Sequence, residues 1–174
     1  AASPMIAGVY RALYPQLKIT TVNNAFPSHY LATEPSLSTT KPLTMVWFSQ
    51  VIGLDRGLKE FLECLRFIPD VPISIHLVGL ASTEVRDEIR QLELRANHKI
   101  DFFPALPEKQ LFDFIAKHEI GLALEIGEPL NRDLCRTNKL YTYPLAGCYT
   151  LASKTTSQVH FIKEFPDAGV LIAL

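Results

Sequence analysis

From Leu43 onward the sequence alternates between short apolar runs and segments whose apolar residues recur at helical spacing. The runs are Leu43–Ser49, Ile73–Val78, Lys99–Phe103, Ile120–Leu124, Cys148–Ala152 and Val170–Ile172. Short, nearly continuous apolar strands are those buried on both faces of a sheet. Between them lie helical patterns with their own punctuation. Asp55–Phe67 carries Leu58, Phe61, Leu62 and Leu65 on one face. Ser82 caps a segment with Glu84 in its first turn, and Pro107 opens one carrying Leu111, Phe112, Phe114 and Ile115. Thr137-Asn138 caps a helix that runs through Ala146 and closes at Gly147, with Pro144 expected to kink it. Thr156–Phe165 is the last. Repeated β-α units of this kind predict an α/β fold, an open parallel Rossmann-like sheet with helices on both faces. Ligands of such sheets bind beyond the carboxyl ends of the strands.

The first 42 residues read differently. Ser3-Pro4 opens a helical stripe of Met5, Ile6, Val9, Tyr10 and Leu13, and Lys18–Val22 has the pattern of a short strand. Pro27 to Pro42 is rich in Pro, Ser and Thr and reads as a linker or surface excursion. A length of 174 residues suits one domain with an appendage, and 48% apolar with 20% charged residues excludes a disordered chain. A formal charge of −1 argues against a strongly basic nucleic-acid surface. No apolar run reaches the roughly 18 residues of a membrane helix, and no basic-then-apolar leader is evident. Cys64, Cys135 and Cys148 fit neither a disulfide framework nor a metal site and suit a reducing, cytoplasmic setting. The chain starts at Ala1 and ends in the apolar Gly169–Leu174, so a fragment of a longer protein is expected.

The loops at the predicted strand ends hold the candidate chemistry. The first contains Gln50, Gly53 and Arg56; an arginine at a helix start is either a phosphate ligand or a solvated charge. The second, Gly79-Leu-Ala-Ser82, is neither a dinucleotide fingerprint nor a phosphate loop. The third, Pro104-Ala105-Leu106-Pro107, is a turn whose backbone could edge a flat ring. The fourth runs from Glu125 to Asn138 and Lys139. A lysine at a helix N-terminus opposes the dipole, which a bound phosphate or plain solvent exposure would explain. Two cationic helix starts, Arg56 and Lys139, suit a diphosphate. Glu128 and Asp133 read as a wet loop. His29, His76, His98, His118 and His160 form no metal pair at helical spacing, and His76 reads as a buried, hydrogen-bonded strand residue. There is no G-x-S-x-G nucleophile.

The segments Trp47-Phe-Ser-Gln-Val-Ile-Gly-Leu-Asp-Arg-Gly-Leu58, Ile75-His-Leu-Val-Gly79, Ile120-Gly-Leu-Ala-Leu-Glu125 and Thr137-Asn-Lys-Leu-Tyr-Thr-Tyr-Pro-Leu-Ala-Gly147 resemble, in order and spacing, the C-terminal half of GT-B glycosyltransferases of the family-4-like group. Ser3–Ala7 and Thr21–Pro27 resemble the end of that family's N-terminal domain and the crossover. The resemblance implies residues 1–26 as the end of a truncated N-terminal domain, 27–42 as linker, and 43–174 as the domain that binds a nucleotide-sugar donor. It implies that Arg56, Gln50, Asn138 and Lys139 face the donor diphosphate. Pro104, Ala105, Leu106 and Thr142 would lie by the nucleoside. The family's first-loop arginine falls at Gln50, its lysine at Arg56, and its ribose-binding glutamate at Thr142. Glu125 or Glu128 would stand in for the other glutamate, which makes Glu125 the candidate catalytic residue. No cofactor or metal is implied; the nucleotide-sugar is substrate. The implied setting is polysaccharide biosynthesis, in the cytoplasm or peripherally at the inner face of the membrane. The missing N-terminal domain would be a partner, and the fragment inactive without it. The other reading is a non-catalytic Rossmann-like domain that binds a ligand or partner.

Overall fold

A computed structural model of the chain describes residues 1–32, 42–68 and 70–174. The elements are α1 (Pro4–Leu13), β1 (Leu43–Val51), α2 (Leu58–Cys64), β2 (Ile73–Leu80), α3 (Thr83–Arg90), β3 (His98–Phe103) and α4 (Glu108–Ile115). They continue with β4 (Ile120–Ala123), α5 (Leu130–Leu134), α6 (Lys139–Leu145), β5 (Tyr149–Ser153), α7 (Thr156–Glu164) and β6 (Gly169–Ile172). The six strands form one sheet in the order β3-β2-β1-β4-β5-β6, and every pairing is parallel. The chain builds outward from β1 to β3, then returns to lay β4 against the other side of β1. The order therefore reverses between β1 and β4, and a crevice opens beyond their carboxyl ends.

Both faces of the sheet are covered, as the apolar strands require. Along β1, Met45 and Trp47 join one core with Leu58, Leu62, Ile75 and Leu77. Val46 joins the other, with Ile115, Ala123, Tyr143 and Phe161. This is the two-residue alternation of a strand sandwiched between layers. α6 lies directly on β4: a Cβ at Gly121 would sit 2.1 Å from the Tyr143 ring. Tyr143 in turn donates its hydroxyl hydrogen to the Leu122 carbonyl at 3.1 Å.

Several expectations change. Lys18–Val22 joins no sheet; its backbone instead meets the N-terminus, where Ala1 N donates to Thr20 O and Val22 N to Ala1 O. It lacks a neighbouring strand edge, so its local β pattern has nothing to pair with. The helix expected over Asp55–Phe67 starts only at Leu58 and tightens into a 3₁₀ turn at Leu65–Phe67. Its start is delayed because Gly57 is left-handed, with φ of 79°. The stretch between Glu125 and Arg136 contains the short helix α5. Residues 33–41 of the expected linker, and Pro69, lie outside the described residues. The preceding piece packs down: Tyr30 stacks on Phe112 with ring centroids 4.1 Å apart, and Ala32 N donates to Leu145 O at 2.7 Å.

Candidate functional site

The crevice between β1 and β4 is a cleft of about 510 Å³. Gln50 enters it from the end of β1 and Arg56 from the loop that follows, Ala105 and Leu106 from the loop before α4, and Glu125, Asn138 and Lys139 from the β4–α6 connection and the start of α6. Three connections distant in sequence thus meet where the strand order reverses. Pro104 and Thr142 are not among the lining residues; Thr142 lies one turn into α6 and is only 2% exposed. Phe48, Val78, Leu111 and Thr137 also line the cleft. Sequence reasoning passed over them, because three are apolar and looked like core. Thr137 was read only as a cap, yet its Oγ1 is buried with no hydrogen-bond partner.

Arg56 precedes Gly57 and so stands before α2 rather than in its first turn. α2 and α6 have seven residues each. Helices this short give a limited dipole, so the side chains must supply most of the site's positive potential. Asn138 does not cap α6: its backbone is already helical. Its Oδ1 instead accepts from Asn24 Nδ2, which fastens the segment after α1 to the mouth of the cleft.

Lys139 is 6% exposed, with its Nζ 4.9 Å from the Trp47 ring centroid and 5.4 Å from that of Phe48. Among the described residues, no hydrogen bond or ion pair holds it. Burial pushes its ammonium group down to about 8, opposed by Glu125 and reinforced by Arg56. Glu125 is 5% exposed, and its Oε2 is buried without a hydrogen-bond partner. Its main chain is fixed by Ser153: Glu125 N donates to Ser153 Oγ at 2.8 Å, and Ser153 Oγ lies 2.7 Å from Glu125 O. Burial raises the Glu125 carboxyl, while Lys139, Arg56 and Arg132 pull it back. The cleft therefore carries two largely buried groups of opposite charge type, Lys139 with only aromatic faces against its Nζ and Glu125 with an unpartnered Oε2. Such groups are costly unless something completes their hydrogen bonding. An anionic oxygen at Lys139 and a hydroxyl at Glu125 would do so together. The residues present fit a ligand with both.

Of Glu128 and Asp133, read as a wet loop, Asp133 has a structural partner. Asp133 Oδ1 accepts from Thr156 N at 2.8 Å, at the start of α7. Arg136, largely buried, pairs with Glu164 and with His160 Nδ1. His76 is hydrogen-bonded, through Nδ1 to His118 Nε2 at 2.6 Å. No group of three metal-ligating side chains occurs among the described residues. No helix among them is long and apolar enough to cross a membrane.

No protein-family profile matches the chain, and no curated protein sequence matches it. Solved structures do. Anabaena HepE, crystallised with UDP and glucose, superposes over 88% of this chain and 43% of its own, with a TM-score of 0.65 and 16% identity. WaaG, a glycosyltransferase of lipopolysaccharide biosynthesis, matches over 98% of this chain and 38% of its own, at TM-score 0.54 and 16% identity. TarM matches over 93% and 31%, at TM-score 0.54 and 14% identity. The chain spans less than half the length of each of these proteins. A likeness at such identity speaks to architecture. The chain has the Rossmann-like α/β fold found in GT-B glycosyltransferases.

Proposed function

We propose that this chain is the donor-binding part of a glycosyltransferase that takes a nucleoside-diphosphate sugar. The observation that carries the reading is the largely buried pair Lys139 and Glu125 facing one cleft at the switch point, with Glu125 Oε2 unpartnered. A sugar diphosphate offers what both lack, phosphate oxygens for Lys139 and Arg56 and a sugar hydroxyl for Glu125. The Ala105–Leu106 turn is the edge against which the base would lie. As the glycosidic bond breaks, negative charge builds on the leaving diphosphate. Lys139 and Arg56 would stabilise it. The transfer is of hexosyl type, to an acceptor held by the further domain that longer structures of this fold possess. The chain by itself is therefore expected to bind donor without turning it over. A role in polysaccharide assembly, in the cytoplasm or at the inner membrane face, completes the reading.

The test is thermal unfolding with UDP, GDP and their hexose conjugates, on the wild-type chain, Lys139→Met and Glu125→Gln. A ligand at about a hundred times its Kd adds roughly 2.7 kcal/mol, or about 5–11 °C at this size. The expected result is a shift with one base that Lys139→Met removes. Glu125→Gln should remove only the extra shift given by the sugar. A flat response across the panel from a folded wild-type chain would sink donor binding by this domain.

A further inference from the structure

A second cleft, of about 480 Å³, lies at the free edge of the sheet between α3, the 91–97 connection and β3. Its floor includes Phe102, and its rim carries Arg86, Arg90 and Arg95. Two of these guanidinium groups are anchored through Nε by main-chain carbonyls. Arg86 Nε donates to Ala81 O at 3.4 Å while its plane covers the Phe102 ring at 4.5 Å. Arg95 Nε donates to Arg66 O at 2.7 Å. Neither has a carboxylate partner among the described residues, so the outer nitrogens of both remain available. The nearby carboxylates are already engaged: Asp87 with Arg90 at 3.0 Å, and Asp101 with Lys99 at 2.8 Å. His98 lines the same cleft, is 8% exposed, and has both ring nitrogens buried without a hydrogen-bond partner. One of those nitrogens must carry a hydrogen, and a buried donor left unpaired is costly.

We infer that this cleft is a second anion site, built for a phosphate group and separate from the cleft at the switch point. A guanidinium held at Nε by a carbonyl presents its outer nitrogens as a fixed fork, the geometry that bidentate phosphate binding uses. Small movement of the His98 ring toward the entering oxygens would pair its orphaned donor. The phosphate could be free in solution or the headgroup of a lipid, because the forks recognise the same oxygens in both.

The experiment uses the Lys139→Met chain, so that binding at the first cleft is suppressed. Two probes are titrated: inorganic pyrophosphate, and phosphatidylcholine vesicles containing phosphatidic acid. The expected result is binding of at least one probe, accompanied by movement of the His98 ring signals in the NMR spectrum. Arg86→Gln with Arg95→Gln should weaken it tenfold or more, and the lysine pair at the same positions should restore part of it. Pyrophosphate binding identifies a soluble ligand, and vesicle binding without it a lipid headgroup. Binding of neither probe, or binding unchanged in the glutamine pair while the protein stays folded, overturns the inference.

Discussion

Arg132 clasps Asp55 across the switch point: its Nη1 donates to Asp55 O at 2.9 Å, and its Nη2 reaches Asp55 Oδ2 at 2.8 Å. The loop after β4 is thereby tied to the loop after β1, one residue from Arg56. Asp55 is exposed, so the ion pair itself is worth only about 0.2–1 kcal/mol. Arg132→Ala should therefore change stability little, yet weaken nucleotide-sugar binding several-fold by releasing Arg56. The hydrogen bond from Arg132 also holds the Asp55 carboxyl below its ordinary range. A lowered carboxyl stabilises the fold at pH above its unfolded value and loses that contribution as pH falls through the folded one. Urea unfolding of wild type and Arg132→Ala should differ slightly at pH 7 and converge in acid, once the folded Asp55 carboxyl is protonated. Equal donor affinity in the two proteins would show that the clasp does not position Arg56.

Lys139 makes a pH prediction of opposite sense. Its ammonium group titrates near 8 in the fold, against an ordinary value of 10.5. Donor binding that needs the charged form should be constant to about pH 8 and then fall, approaching tenfold per pH unit. Over the same range the unfolded chain holds the proton that the folded one releases, so stability without ligand should rise from about pH 8 to 10.5. Lys139→Met should flatten both profiles, with the free protein no less stable than wild type. Nucleotide affinity that stays level to pH 9.5 would contradict a role for the Lys139 charge.

The His76–His118 pair should set the acid limit. His118 Nδ1 lies 2.9 Å from Phe114 O and therefore donates to it, so neutral His118 Nε2 accepts from His76 Nδ1. Ser74 Oγ, 3.3 Å from His76 Nε2, completes the chain of bonds. A proton on His118 Nε2 would face the N–H of His76. Burial, with His76 beside it, depresses His118 to about 4. Stability should thus be complete above about pH 6.5 and fall toward pH 4, by something on the order of 2 kcal/mol. Replacing His118 with phenylalanine should remove that slope, as read from urea midpoints across the range.

Gly121 is a packing requirement. Gly121→Ala places a methyl group against the Tyr143 ring and should destabilise by about 1–3 kcal/mol. Tyr143→Phe loses the bond to Leu122 O and should cost about 1 kcal/mol. Because the two residues touch, a double-mutant cycle in urea should be non-additive when Tyr143→Ala relieves the clash. Strict additivity would mean that α6 moves off β4 instead.

The sheet and most helices were legible because the determining signals are local. Apolar runs of strand length, Ser82 before Glu84, Pro107 and Gly147 act within a few residues of themselves. Lys18–Val22 was misread for the same reason, since a β pattern forms a strand only beside an available edge. Within the cleft, Gln50, Arg56, Glu125, Asn138 and Lys139 were identified because polar residues at the ends of parallel strands converge at one end of the sheet. Thr142 lies back in α6, where helical geometry turns it away from the cleft. The burial of Lys139 and Glu125, the Arg132–Asp55 clasp and the second cleft beside β3 depend on residues tens of positions apart. Local sequence determined which segments became strands and helices. Only tertiary structure decided which charges share a desolvated space, because burial and electrostatic coupling depend on distances that chain spacing does not encode.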